Sequence, residues 1–207
     1  VRNVPANAGR GEIAIITRDA LGREVIRNAR FYISRNLLAP KISQFAVNVG
    51  FVRRRYGLRS NDYGPLAASA YYRRGISPRL TLEGTAEWTS GLINIGARGD
   101  LVLGGIALAS VEGRFSRDNA SGTSGSQLNV SLESVGKRLS ARVGAILPSS
   151  GYRDVASKLG DPLPPRQYFA QINFNLANMT QIQLSAMRER RRYDPRYPLL
   201  DLRSDVQ

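Results

Sequence analysis

The chain has 207 residues and a formal net charge of +14, and it contains neither cysteine nor histidine. That length buries a sizeable core without disulfides or metals, and the missing residue types exclude Ser-His-Asp and Cys-His nucleophiles and thiolate zinc sites. Nearly all the positive charge is arginine, with lysine only at Lys41, Lys137 and Lys158; arginine pairs with carboxylates or with phosphates of any origin, so the charge does not by itself name a nucleic acid. No stretch approaches the roughly 18 consecutive apolar residues of a membrane-spanning helix. The opening VRNVPANAG has no basic start followed by an apolar run, and the chain reads as a fragment or processed piece.

In chain order, GEIAIITR (11–18) and REVIRNARFYI (23–33) flank Asp19-Ala20-Leu21-Gly22, the pattern of a two-stranded hairpin. SRNLLAP (34–40) ends in proline and reads as a linker. From there on, apolar and polar residues alternate with a period of two in about nine stretches, several of them near the 9 to 11 residues of a tilted membrane-spanning strand. RLTLEGTAEWT (79–89) sets Leu82, Ala86 and Trp88 against Glu83, Thr85 and Glu87, and QYFAQINFNL (167–176) sets Tyr168, Ala170, Ile172 and Phe174 against Gln171 and Asn173. The other stretches begin near residues 44, 66, 93, 107, 127, 138 and 181.

Connections near 74–78, 104–105, 136–137 and 177–179 are predicted short, and those at 53–63, 116–126, 148–166 and from 189 onward long, with Ser90-Gly91 the exception. Such alternation is that of an outer-membrane barrel. Phe51, Trp88, Phe115 and Tyr168 fall on the apolar parity beside the long loops, where an interfacial aromatic girdle belongs. The segment DVASKLG (154–160) carries an N-cap residue and a stop glycine, and predicts a helix of at most two turns.

The ordered set NVPANAG, GEIAIITRDALGRE, FYISRNLLAP and FAVNVGFVRRRYG, followed by SNDYGPLAASAYYRRGIS and GYRDVASKLGDPLPP, resembles the middle of fimbrial outer-membrane usher proteins of the chaperone-usher pathway. The resemblance implies an all-β fold: the last hairpin of a small β-sandwich plug domain (1–36), then an antiparallel transmembrane β-barrel segment of about nine strands (37–207). It also implies a place in the bacterial outer membrane and a role in exporting and ordering pilus subunits. The partners it implies are those subunits and their periplasmic chaperone, met largely through parts of a parent protein outside this sequence.

On this reading the expected lumen-facing residues are Glu83, Glu87, Arg98, Glu112, Arg114, Glu133, Arg138 and Arg142. Two basic clusters, Arg53-Arg54-Arg55 and Arg188, Arg190, Arg191 and Arg192, fall at the long-loop end and are expected to meet membrane lipid, with lipopolysaccharide phosphates as their ligands. No catalytic residue, cofactor or metal is assigned. Glu83 and Glu87 share a face, but four residues along a strand span about 13 Å, beyond the roughly 5 to 9.5 Å of a glycosidase pair. The arginines do not form one stripe with stacking aromatics, which argues against nucleic acid. The alternatives are another outer-membrane barrel such as a porin, and a soluble basic β-sandwich that binds a partner.

Overall fold

The structure is a computed structural model, and it describes residues 9–18, 24–34, 36–53, 61–176 and 180–191, with the side chains of 9–33 and of Arg53 outside the description. The turn expected at 19–22 and Arg54, Arg55 and Arg192 lie outside the described residues.

The fold is all-β. Strands β1 (Gly9–Arg18) and β2 (Glu24–Ile33) pair antiparallel as a two-stranded sheet of their own. A single nine-stranded antiparallel meander follows: β3 (Ser43–Arg53), β4 (Tyr63–Ser77), β5 (Leu80–Thr89), β6 (Leu92–Leu103), β7 (Ala107–Asp118), β8 (Thr123–Val135), β9 (Leu139–Pro148), β10 (Arg166–Asn175) and β11 (Gln181–Arg190). Each strand pairs with its neighbour in sequence, and the sheet is not closed: β3 and β11 are its edges.

The alternation fixes the faces. Phe45 and Val49 are 76% and 67% exposed, and Val111 and Val143 are 52% exposed each. The four aromatics expected to form a girdle, Phe51, Trp88, Phe115 and Tyr168, are exposed on the same apolar parity. Among the described residues no second sheet covers this face. Buried residues are instead concentrated on the opposite, polar face, where Thr81, Thr89, Asn94, Asp100 and Ser116 are almost fully enclosed.

Strand lengths depart from the expected pattern in one informative way. The polar, glycine-rich stretch at 116–126 reads as a long loop, but pairing continues through Arg117↔Ser124 and Asp118↔Thr123, and only 119–122 turns, with Gly122 at φ +65°. At the opposite end β4 runs to Ser77 through a register shift between Gly75 and Ser77, so the turn lies at 78–79 and not at 74–78. Two of the connections on the long-loop side, 90–91 and 119–122, are therefore tight. The backbone ladder overrides loop-like composition wherever a neighbouring strand offers the next pair of hydrogen bonds.

The stretch read as a linker, 34–40, is held to the sheet. Leu38 N–H donates to Thr81 Oγ1 at 2.9 Å, Arg73 donates to the Asn36 carbonyl at 2.8 Å, and Lys41 N–H and the Gly75 carbonyl join at 2.9 Å. Leu37 packs on Val102 and Leu108, the small apolar cluster of the polar face. Gly75 is required here, because a methyl group at its Cα would collide with the carbonyl oxygens of Leu38 and Ala39.

Candidate functional site

The polar face is organised by register. Arg73 stands opposite Glu83, Glu83 opposite Arg98, Arg98 opposite Glu112, and Glu112 opposite Asn129, one cross-strand row from β4 to β8 with alternating charge. Directly opposed unlike charges stabilise a sheet pair, where like charges would oppose it. Glu83, Arg98 and Glu112 are thus brought together, and Arg73 joins them although it was not among the expected lumen residues. Its signal was present, since Arg73 shares the parity of Ser69 and Tyr71.

Neighbouring rows tighten this one. Arg73 Nε lies 2.8 Å from Glu83 Oε2. Asp100, 1% exposed, receives two guanidinium N–H groups of Arg98 at 2.9 and 3.1 Å and the hydroxyl of Ser110. A carboxylate so enclosed is tolerated because its lone pairs are met by charge-assisted and hydroxyl donors. Arg114 bonds Glu112 through Nε and reaches Glu87 at 3.4 Å, and Asn129 donates to Glu112 at 3.1 Å. Gly96 leaves the space that Arg114 needs, since a Cβ there would lie 2.9 Å from Arg114 Cγ and 2.7 Å from Thr85 Oγ1.

The remaining expected lumen residues sit farther along. Glu133 stands opposite Arg142, and Arg142 opposite Gln171. Arg142 also lies over the Phe169 ring, 5.5 Å from its centroid, a cation–π arrangement. Arg138 is exposed just before β9.

A strap crosses the polar face. Residues 149–165 leave β9 and return into β10, and the expected helix appears within them as one turn, α1 (Val155–Lys158). Asp154 caps it reciprocally with Ser157, and Gly160 beyond it has φ +123°. Tyr152, 1% exposed, accepts a hydrogen bond from Asn94 Nδ2 at 3.0 Å, and the Arg153 N–H donates to Ser116 Oγ at 2.9 Å. Burial pushes the Tyr152 phenol above its ordinary range, against the opposing effects of the Asn94 hydrogen bond and the charge of Arg114. Gly125 admits the strap, because a side chain there would collide with the Tyr152 backbone. Lys158 closes the contact with Asp118, at 2.7 Å.

Asn94, Asp100, Asp118, Tyr152 and Lys158 were missed by sequence reasoning as site residues. Asp100 and Asp118 follow the parity of Arg98 and Arg114, so strand extension would have found them. Tyr152 and Lys158 lie in a loop, where no periodicity reports orientation.

No family model matches this chain, and no curated protein matches it.

The basic clusters are re-sorted by the sheet. Arg53 ends β3 opposite Tyr63. Arg188 and Arg190 share the apolar parity of Ile182 and Leu184 and are exposed, whereas Arg191 has the other parity and bonds Glu189. Among the described residues no three acidic side chains come together as a metal site. No helix among them is long and apolar enough to cross a membrane.

Proposed function

We propose that this chain is part of the wall of a bacterial outer-membrane β-barrel, and that the barrel is an usher-type pore that exports and orders pilus subunits. One observation carries the membrane reading: the apolar face of nine strands is bare across the whole sheet, while the polar face holds an alternating-charge ladder and a docked strap. Water would oppose an uncovered apolar face of this extent; lipid accepts it. The two unpaired edges, β3 and β11, ask for further strands, because lipid leaves no solvent to satisfy their backbone groups.

The usher reading rests on the ordered resemblance from NVPANAG to GDPLPP. In it the two-stranded β1–β2 unit belongs to a plug domain, and the polar face lines the passage of folded subunits delivered by their periplasmic chaperone. A wall of mutually compensated charges suits that task, since it offers a moving protein neither a large apolar patch nor a single-sign field.

The test is a cysteine scan, made simple by a chain without cysteine. Val111→Cys, Ile172→Cys, Ser131→Cys and Asn173→Cys are each reconstituted in lipid vesicles and probed with a water-soluble maleimide and a lipid-borne quencher. Quenching at 111 and 172 with labelling at 131 and 173 is expected. Protection of 111 and 172 from both reagents would mean that protein covers the apolar face, and the pore reading would be lost.

A further inference from the structure

At the strap end of β10 and β11 the exposed apolar face carries a basic array. Arg166 and Arg190 are directly opposed Cα partners, and one step along, Tyr168 is opposed by Arg188. All four belong to the parity of Ala170, Ile172, Leu184 and Ala186, and all four are exposed. Side chains directly opposite in an antiparallel pair have Cβ atoms about 5 Å apart, so three guanidinium groups share a patch that one or two phosphates span.

Among the described residues of β10 and β11 no acid on this face offsets the charge. The acidic residue of these two strands is Glu189, which has the opposite parity and is engaged by Gln167 at 2.7 Å and by Arg191. Among the described residues Arg166, Arg188 and Arg190 make no ion pair. Like charges directly opposed in a sheet are destabilising, and more so beside an apolar medium that screens poorly. The relation recurs on β7, where exposed Phe115 is followed two residues on by exposed Arg117.

We propose that Arg166, Arg188 and Arg190 form a binding site for the phosphorylated headgroup of a membrane lipid, with Tyr168 marking the depth at which the headgroup ends and the acyl chains begin. Charge complementarity selects the ligand. Three cations exceed the single negative charge of a phosphodiester and suit phosphomonoesters, which carry about −1.5 to −2 each near neutral pH. Guanidinium forks match phosphate oxygens bidentately. The apolar residues directly below on the same two strands, Ala170, Ile172, Leu184 and Ala186, give the acyl chains their contact. The site differs from the sequence-level cluster in both directions: Arg166 joins it and Arg191 leaves it.

This inference rests on the membrane reading above, and the experiment separates the two. The protein is mixed with phosphatidylcholine vesicles alone, or containing diphosphoryl lipid A, dephosphorylated lipid A or phosphatidylglycerol, and flotation and retained lipid are measured. Flotation with phosphatidylcholine alone reports membrane insertion. Retention of diphosphoryl lipid A at least tenfold above the dephosphorylated form is expected, with phosphatidylglycerol well below it, and millimolar inorganic phosphate failing to displace it.

The variant Arg166→Gln/Arg188→Gln/Arg190→Gln is expected to float normally and to lose that retention about tenfold. The corresponding triple Lys variant recovers part of it, and Arg191→Gln changes it less than twofold. Normal flotation with equal retention by the Gln variant and the unaltered protein overturns the site and leaves the membrane reading standing. Absence of flotation with every vesicle overturns both.

Discussion

Lys158, at the end of the single helical turn in the strap, places its ammonium 2.7 Å from the carboxylate of Asp118 at the end of β7. The pair joins residues forty positions apart in sequence, and it fastens a loop to the polar face of the sheet. Asp118 is nearly buried and also accepts the N–H of Ala120, so its charge depends on Lys158 for compensation.

Lys158→Met removes that compensation while keeping the length of the side chain. A loss of about 1–3 kcal/mol in strap docking is expected, visible as faster hydrogen exchange over 149–165 with the strands unchanged. Asp118→Asn/Lys158→Met removes both charges and is expected to recover part of the loss. Identical exchange in all three proteins would show that the strap is held without this pair.

Tyr152→Phe keeps the buried ring and deletes the hydroxyl that meets Asn94, with an expected cost of about 1 kcal/mol. Tyr152→Ala empties the site, at about 3–5 kcal/mol. Gly125→Val acts from the other side by blocking the backbone of the strap, and is expected to raise protease sensitivity at 149–165 as much as Tyr152→Ala does. Denaturant unfolding and limited proteolysis measure these effects, and a protease-resistant Gly125→Val protein would contradict the packing of the strap on β8.

The two faces of the sheet should respond differently to charge. Val111→Arg puts a cation on the exposed apolar face, and a barrel in lipid is expected to lose about 2–4 kcal/mol if the position lies near mid-depth. Ser131→Arg, on the polar face of β8, is expected to cost less than 1 kcal/mol. Refolding equilibria in lipid vesicles check both, and equal costs would remove the distinction between lipid and lumen.

Charges of the polar face divide into those that brace the sheet and those left exposed, which would face the passage of the proposed pore. Glu112 is enclosed by Arg114 and Asn129, so Glu112→Gln is expected to lower stability by about 1–3 kcal/mol with little change in pore selectivity. Arg138 is exposed just before β9, and Arg138→Glu is expected to shift the reversal potential in a salt gradient toward cation selectivity at unchanged stability. A selectivity shift confined to the Glu112 variant would reverse this assignment.

Much of this was legible along the chain, because strand parity is a local property: each residue's face follows from its own neighbours two positions away. The nine strands, their faces and the exposure of Phe51, Trp88, Phe115 and Tyr168 agree with the alternation from Phe45 to Ala186. The capped turn at Asp154 was likewise legible, since a cap is made between residues three apart. Strand ends were harder, and Ser116–Asp118 read as loop because pairing with Thr123–Gly125 is a relation between strands that composition does not report.

The sequence by itself determined the all-β class, the two faces and the excess of arginine over acid. Only the tertiary structure decided which charges meet. The opposition of Glu83 to Arg98 and of Arg98 to Glu112, the docking of Tyr152 over Gly125, and the direct opposition of Arg166 and Arg190 all depend on register and loop path. Register is set jointly by turn lengths and cross-strand hydrogen bonds, and a shift of two residues would keep every side chain on its face while giving it a different partner.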